Sequence, residues 1–285
     1  MRYLIVTADD FGAARCVNEA VEIAHTQGIL TAASLMVAGE AADDAVERAH
    51  RLPGLGVGLH IVLADGRPVL PPGAVPALVG SDGRFRDMIR TAFAIALWPP
   101  ARRQMRAEVS AQFARFAATG LPLDHVNSHK HFHLHPMIAS AIVDAGKRHG
   151  LAAMRVPVEP GIAGLAAALM RWWAGRLGKR LRRAGLAVND RVAGLAATGQ
   201  FDTPRMVKAI DSLGDGVTEL YCHPATADAY PGSAPGYRYR EELAALTAPQ
   251  ARAAVIASGA GHGNFRQALN PPQSPVTGQV TPLRA

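Results

Sequence analysis

Apolar runs of strand length alternate with amphipathic segments of helix length along most of this chain. The run at 3–9 is short and rich in β-branched residues, and the next segment, 14–28, has apolar residues at helical spacing before Gly28. Further strands are predicted at 30–37, 55–62, 123–129, 152–157 and 217–225. Strands that alternate with helices indicate a mostly parallel sheet covered by helices. We therefore predict an α/β fold, an irregular TIM-like (β/α) barrel of about seven strands, with a doubly wound open sheet as the alternative.

No break in composition divides the chain, so we predict a single domain over residues 1–285. Residues 64–100 hold many of the prolines and glycines, which predicts an irregular insertion. Only 6% of the residues are aromatic, so the core must consist mainly of Leu, Val, Ile and Ala. Neither GxGxxG nor GxxxxGK[ST] follows the first strand, which excludes the two common nucleotide-binding loops at that place.

Acidic residues or histidines follow four of the predicted strands. Asp9 and Asp10 end the first strand and His60 ends the third, while His129 and His223 follow the strands at 123–127 and 217–221. The carboxyl ends of parallel strands meet at one face of a barrel or open sheet, where catalytic groups gather. Each residue also has a structural interpretation, such as a helix cap, a core histidine or a loop residue. The agreement between four strands favours a shared site.

The stretch "SHKHFHLHP" (128–136) places histidines at every second position: His129, His131, His133 and His135. This period of two predicts a strand or an extended loop whose imidazoles point the same way. Neutral imidazole is a common ligand of transition metals. A solvated loop rich in histidine is the alternative.

One carboxylate and two imidazoles, with positions left open, form a known type of catalytic metal site. A metal held there lowers the pKa of bound water and polarises a carbonyl group. A second carboxylate beside it can accept a proton, and another histidine can protonate a leaving group. The residues at the strand ends therefore predict a metal-dependent hydrolase.

Four motifs in this order, "TADDFG", "GLH", "NSHKHFH" and "YCHPA", resemble the YdjC/ChbG-like carbohydrate deacetylases over almost the whole chain. The resemblance implies an irregular (β/α) barrel. It also implies metal-dependent removal of an acetyl group from an N-acetylated amino sugar. The metal is one divalent ion, with zinc or magnesium preferred over manganese or cobalt.

Residue roles follow from the resemblance position by position. It implies Asp10, His60 and His129 as the metal ligands. It implies Asp9 as the general base and His223 as the group that assists the leaving amine.

The same resemblance implies substrate contacts at His131 and His133, and at Arg240 and Glu241 after "GYRY". In one respect the chain departs from the family, which usually has Asp before "SH" where this chain has Asn127. Asn still accepts a hydrogen bond but carries no charge, so the tuning of the metal is expected to differ.

Longer stretches, including "MRYLIVTADDFG" and "GLHIVLADGRPVLPP", resemble the hopanoid biosynthesis-associated branch of that family. That branch implies an N-acetylated glycolipid substrate, N-acetylglucosaminyl bacteriohopanetetrol. Three alternatives stay open: another N-acetylated sugar or chitooligosaccharide, a different bond such as a phosphoester, and a barrel that binds a glycolipid without turnover.

The net charge of +7 is concentrated in basic segments. Residues 165–186 combine two tryptophans with Arg and Lys, which suits peripheral contact with an anionic membrane surface. A barrel helix with a basic outer face is the alternative. No nucleic-acid-binding motif is present, and a homodimer is left open. Two distant cysteines, no signal peptide and no membrane span predict a cytoplasmic protein, with this contact at the inner face of the cytoplasmic membrane.

Overall fold

Parallel strands form one curled sheet at the centre of the molecule. A computed structural model of the chain describes residues 1–269, and residues 270–285 of the predicted domain lie outside the described residues. The strands are β1 (Arg2–Phe11), β2 (Ala32–Leu35), β3 (Gly56–Ile61), β4 (Val126–Ser128), β5 (Arg191–Ala193), β6 (Gly216–Cys222) and β7 (Gly261–His262). They lie in the order β4-β3-β2-β1-β6-β5, and β7 pairs with the first residues of β1. Every ladder is parallel, which confirms the predicted α/β class.

Helices cover the outside of the sheet. In residues 1–269 they are α1 (Arg15–Gln27), α2 (Ala42–His50), α3 (Met88–Leu97), α4 (Pro99–Ala118), α5 (Pro136–Gly146), α6 (Leu165–Arg183), α7 (Thr203–Asp211), α8 (Tyr239–Thr247), α9 (Pro249–Ser258) and α10 (Phe265–Leu269). Helix α1 shows why these segments are helical. Its Val17, Val21 and Ala24 recur at intervals of three or four and are buried. Several helices, including α4 and α5, begin with proline, which fits the first turn.

An irregular segment joins the two edge strands of the sheet. The sequence predicts a strand at 152–157, but the structure has only isolated bridges at Ala153 and Met154. Arg155 nevertheless donates its backbone N–H to Val126 in β4, and Val192 in β5 donates to Val158. The segment therefore occupies a strand position between β4 and β5. This closes the curled sheet into the irregular barrel that the sequence predicts.

The insertion predicted at 64–100 contains more regular structure than its composition indicates. Residues 64–87 lack an α-helix or a named strand, whereas α3 begins at Met88. Buried Glu108 of α4 accepts hydrogen bonds from the backbone N–H groups of Val69 and Leu70, and Gln112 accepts one from Val62. These side chains fix the irregular chain against α4. It therefore stays ordered beside the carboxyl ends of the strands without a core of its own.

Candidate metal and catalytic site

Asp10, His60 and His129 converge at the carboxyl ends of three different strands. One ligand atom from each lies within 4.8 Å of the other two. Asp10 Oδ1 is 3.3 Å from His60 Nε2 and 3.2 Å from His129 Nδ1. The structure thus brings together the three residues that the resemblance implies as metal ligands. The donor set, one carboxylate and two imidazoles, suits a divalent transition metal.

A local irregularity in β1 allows both neighbouring aspartates to serve one site. Successive side chains of a regular strand point to opposite faces. Asp10 instead has a left-handed backbone, with φ of 63°, and the register between β1 and β2 shifts between Ala8 and Phe11. Gly12 follows with φ of 93°, where a side chain would be strained. The "DDFG" sequence thereby places Asp9 in the barrel and Asp10 beside the histidines.

Asn127 connects the metal triad to Asp9. Its Nδ2 donates to Asp9 Oδ1 and to Ser34 Oγ, both at 2.9 Å. Its Oδ1 is therefore the acceptor for His60 Nδ1–H, at 2.7 Å. This bond fixes the tautomer of His60 and leaves Nε2 free for a cation. The amide can do both because it carries a donor and an acceptor, whereas a carboxylate here would face the carboxylate of Asp9.

Arg155 is fully buried and binds two carboxylates. Its guanidinium makes two hydrogen bonds to Asp9, at 2.5 and 3.0 Å, and two to Glu219, at 2.7 and 2.9 Å. Thr7 Oγ1 donates to Glu219 as well, at 2.8 Å. Bidentate pairing of this kind fixes both the position and the orientation of a carboxylate.

The electrostatics of the cluster favour a cation. Burial alone would raise the pKa of Asp9, but the charge of Arg155 holds it far below the usual range. Burial also opposes ionisation of Asp10, yet the charge of His129 keeps its pKa well below normal. Asp9 and Glu219 share the guanidinium of Arg155, whereas Asp10 has only the imidazoles of His60 and His129 beside it. Buried charge of one sign is costly unless it is neutralised, so the triad is suited to hold a divalent ion.

The histidine run does not form an extended edge, and this sequence prediction is wrong. His129–Leu134 consists of 3₁₀ turns interrupted by a kink at Lys130 and His131, which have positive φ of 55° and 53°. The imidazoles consequently separate. His129 contacts Asp10, His131 Nε2 lies 3.2 Å from Tyr221 Oη, and His133 Nδ1 lies 2.7 Å from Ser128 Oγ. His135 caps α5 by accepting from the backbone N–H of Met137.

His223 lies in an aromatic setting beside the same end of the barrel. Its ring centroid is 5.6 Å from that of Tyr221 and 5.1 Å from that of Tyr237. Its backbone N–H donates to the buried carboxylate of Glu242. Nδ1 of His223 is buried and has no hydrogen-bond partner within the described part of the chain. A histidine with a free ring nitrogen beside a metal triad is equipped to exchange a proton with a ligand.

Two of the predicted substrate residues are not among those that line the opening beside Asp10 and His129. Arg240 and Glu241 are exposed on α8, where Arg240 is 3.7 Å from Asp228 and Glu241 pairs with Arg238. Their neighbour Glu242 points inward instead. The opening is lined by other residues, among them Glu40, Arg67, Arg84 and Tyr230.

Sequence reasoning missed Arg155, Glu219 and Tyr221. Each stands in an apolar, strand-like stretch, "AAMRVP" or "VTELYC". A lone charge inside such a stretch is the available signal, because charged side chains are rarely buried without a partner. Arg155 and Glu219 are two such charges of opposite sign, and this would have indicated that they pair inside the barrel.

Comparisons with known proteins identify the family of this chain. The model of the family described as YdjC-like protein matches residues 3–257. A carbohydrate deacetylase of Geobacillus stearothermophilus is 32% identical, covering 93% of this chain and 98% of the relative. A chitooligosaccharide deacetylase of Serratia marcescens is 31% identical over the same shares of the two chains.

One solved structure shares the fold throughout. It is a crystal structure of an Enterococcus faecalis protein named for cellobiose-phosphate cleavage, with a TM-score of 0.75 and 22% identity. The match covers 93% of this chain and 98% of that chain. At this level of identity the likeness establishes the architecture alone.

Replacement of Arg155 by Lys is expected to destabilise the protein strongly. Lysine keeps the positive charge but cannot form the four hydrogen bonds that hold Asp9 and Glu219. We expect the free energy of unfolding at neutral pH, measured by urea denaturation, to fall by about 3 kcal/mol. Arg182→Lys is the matched control, since the half-exposed pair with Asp190 is worth less than about 1 kcal/mol. An equal fall in the free energy of unfolding for Arg155→Lys and Arg182→Lys would contradict the importance of the buried hydrogen bonds from Arg155 to Asp9 and Glu219.

His133 gives the protein a defined pH dependence. Burial, together with the charge of Arg155, lowers the pKa of His133 from 6.5 to about 3. Between these values the unfolded chain binds a proton that the folded chain does not, so stability falls as the pH falls. The slope is at most about 1.4 kcal/mol per pH unit.

His133→Asn should remove this contribution and lower the slope of unfolding free energy against pH between about pH 6 and 4.5, while the slope that remains comes from other groups such as His131, whose pKa burial also lowers. Urea denaturation at several pH values measures the slope. Equal slopes of unfolding free energy against pH in wild type and His133→Asn would show that the folded protein does not keep the imidazole of His133 neutral.

Proposed function

Because this chain belongs to the YdjC-like protein family, we propose that it is a metal-dependent N-deacetylase. The observation that carries the proposal is the Asp10, His60 and His129 triad beside an ionised Asp9. The names of the relatives support a carbohydrate substrate. The proposed reaction adds water to the acetyl carbon of an N-acetylated amino sugar, breaks the carbon–nitrogen bond and releases acetate and the free amine.

Asp10, His60 and His129 would hold one divalent metal, with zinc or magnesium preferred over manganese or cobalt. Such an ion would polarise the acetyl carbonyl and acidify water next to it. Asn127 presents His60 Nε2 to the ion by engaging Nδ1. Arg155 and Asn127 hold the Asp9 carboxylate in one orientation, so that it can accept the proton of the attacking water.

The leaving nitrogen needs a proton before the carbon–nitrogen bond can break. His223 is the proposed donor, because it lies among Tyr221 and Tyr237 near the triad and its Nδ1 has no partner in residues 1–269. Its backbone is fixed by Glu242. His131 and His133 are proposed to shape the sugar-binding end of the site. Arg240 and Glu241 retain no role in this proposal.

We propose N-acetylglucosaminyl bacteriohopanetetrol as the substrate, on the strength of the sequence stretches that resemble the hopanoid branch. A chitooligosaccharide is the second candidate, and the name of the Serratia marcescens relative favours it. A barrel that binds a glycolipid without turnover is the third. The neutral Asn127, in place of the family's usual Asp, favours it, but the hydrogen bonds of Asn127 to both His60 and Asp9 support a catalytic site.

Acetate release from the hopanoid glycolipid and from N,N′-diacetylchitobiose tests these candidates together. Metal-loaded protein should release acetate, whereas chelated protein and Asp10→Ala should not. His223→Asn should lower kcat by about 10²–10⁴-fold, as expected for loss of a general acid. Asp144→Ala, at an exposed ion pair, is the control and should behave as wild type.

The pattern across substrates separates the candidates. Acetate release from N,N′-diacetylchitobiose alone would indicate that the substrate is a chitooligosaccharide and not the hopanoid glycolipid. No release from either, by protein shown to hold metal, would contradict the deacetylase proposal and favour the binding-only barrel or another bond.

We also propose that α6 makes peripheral contact with an anionic membrane. Leu165, Leu169 and Trp172 recur along one exposed side of the helix, and Arg176 lies 5.0 Å from the ring centroid of Trp172. Exposed apolar and aromatic residues with basic neighbours suit the interface of an anionic bilayer. Among the described residues, no helix has the length and apolarity to cross a membrane.

The double variant Trp172→Ala, Arg176→Ala should bind vesicles containing anionic phospholipid at least about 5-fold more weakly than wild type in a sedimentation assay. Ile256→Ala on α9, where the apolar side chain is 74% exposed against 58% for Trp172, should bind as wild type. Activity on a short soluble substrate should be retained by both. Unchanged vesicle binding by the double variant would exclude this contact.

A further inference from the structure

A chain of buried hydrogen bonds leads from Asn127 away from the metal triad and into the barrel. Asn127 Nδ2 donates to Ser34 Oγ of β2 at 2.9 Å. Ser34 Oγ is in turn 3.0 Å from Nε2 of His125, and Nδ1 of His125 is 3.0 Å from Oδ2 of Asp124. All four side chains are buried. Ser34, His125 and Asp124 have no role in the reaction proposed above.

Glycines of β3 provide the space for this chain. A Cβ atom on Gly58 would lie 2.5 Å from Cε1 of His125, and one on Gly56 would lie 2.7 Å from Oδ2 of Asp124. Glycine inside a strand often marks such a close approach by another group. The stretch "GVGLH" therefore admits the buried imidazole and, two residues after Gly58, supplies the ligand His60.

Asp124 sets the polarity of the chain from its far end. Its carboxylate accepts from the backbone N–H groups of Phe265 and Arg266, at 3.3 and 3.0 Å. Burial raises the pKa of Asp124, but the hydrogen bond from His125 and these backbone bonds hold it below its ordinary value. An ionised carboxylate only accepts, so Nδ1 of His125 is the donor. The ring of Phe265 stacks on that of His125, with centroids 4.4 Å apart.

This polarity passes along the chain to the amide of Asn127. Ser34 Oγ has no other side-chain partner within residues 1–269, so its hydroxyl proton goes to Nε2 of His125, which accepts it in the neutral imidazole. The lone pairs of Ser34 Oγ then face Asn127. Both N–H groups of the amide are thereby used, one by Ser34 and one by Asp9. Two donors in fixed directions define the plane of the amide, so Oδ1 is directed at Nδ1 of His60.

The order serine, histidine, aspartate is that of a nucleophilic triad, but these residues cannot act as one. Ser34 is 0% exposed, and the side of its oxygen away from His125 is occupied by Asn127. A nucleophile must approach the carbonyl carbon of its substrate, which the position of Ser34 prevents. The chain can therefore affect the reaction only through Asn127.

We propose that Ser34 and His125 are positioning residues that act through Asn127. They hold its amide in the one orientation in which Oδ1 fixes His60 as a metal ligand and Nδ2 fixes Asp9. Asp124 anchors the far end of the chain. The benefit to Asp9 as a base rests on the deacetylase function proposed above, whereas the orientation of His60 does not.

A double-mutant cycle in zinc affinity tests whether Ser34 acts through Asn127. Chelated wild type, Ser34→Ala, Asn127→Ala and the double variant are titrated with zinc by calorimetry. Ser34→Ala should weaken zinc binding about 5-fold, less than the loss of a residue that bonds directly to a ligand. In the Asn127→Ala background the same substitution should change the affinity by less than about 2-fold. Unchanged affinity in Ser34→Ala, or an equal loss in both backgrounds, would overturn the proposal.

Thr31→Val is the matched control for the loss of a buried hydroxyl. Thr31 directly precedes β2, and its Oγ1 accepts from the backbone N–H of Val6 at 2.9 Å. It has no bond to the chain that leads to Asn127. The substitution should lower the stability to urea, as Ser34→Ala does, but leave zinc affinity as in wild type. Equal weakening of zinc binding by Thr31→Val and Ser34→Ala would show that Ser34 has only a structural role.

Two replacements of His125 test the next step of the chain independently of Ser34→Ala. The amide of glutamine extends about as far as Nε2 of histidine and can still accept from Ser34. The amide of asparagine extends about as far as Nδ1 and can bond only to Asp124. His125→Asn should weaken zinc binding about 5-fold and His125→Gln less than about 2-fold, and kcat of the zinc-loaded protein should fall in the same order with KM unchanged. Equal zinc affinities of the two variants would contradict the link from His125 to Ser34.

The Nδ1 proton of His60 gives a readout that needs neither zinc nor turnover. In chelated wild type and Thr31→Val, NMR should show this proton protected from exchange with water by its bond to Asn127. In Ser34→Ala it should exchange at least about 10-fold faster. That result supports the positioning role even if no substrate is deacetylated, which would count against the proposed function alone. Acetate release by wild type, together with equal protection in Ser34→Ala, would retain the function and reject the positioning role.

Discussion

The buried guanidinium of Arg155 is the interaction on which the candidate site depends. It lies inside the barrel between Asp9 and Glu219, which come from β1 and β6, and its own backbone belongs to the segment that joins β4 to β5. One side chain thus couples closure of the barrel to the position of the proposed base. Removal of either partner would leave an uncompensated charge where water cannot reach it.

The negative charge that remains at this centre favours the binding of a cation. Arg155 neutralises part of the negative charge by pairing with Asp9 and Glu219, while Asp10, His60 and His129 have ligand atoms within 4.8 Å of one another. Asn127 is neutral and has both a donor and an acceptor, so it can serve Asp9 and His60 at once. The amide that departs from the family pattern is therefore compatible with a metal site and adds no further charge to a crowded centre.

Much of the fold and of the candidate site could be predicted from the sequence, because buried parallel strands and polar residues at strand ends leave clear patterns. The strand ends indicated Asp10, His60 and His129 among the site candidates, and the family resemblance implied them as the metal ligands. The histidine run was misjudged, since a period of two in sequence does not reveal the left-handed residues Lys130 and His131. Arg155 was missed because its partner Glu219 is distant in the chain, and only the closed barrel brings them together.

Titration of the chelated protein with zinc measures the central claim most directly. The account predicts one ion per chain, loss of that binding in Asp10→Ala, and about 10–100-fold weaker binding in Asn127→Ala, where His60 loses the partner that orients it. Calorimetry at a fixed neutral pH would provide all three values. Zinc binding that is equal in wild type and Asp10→Ala would contradict the account.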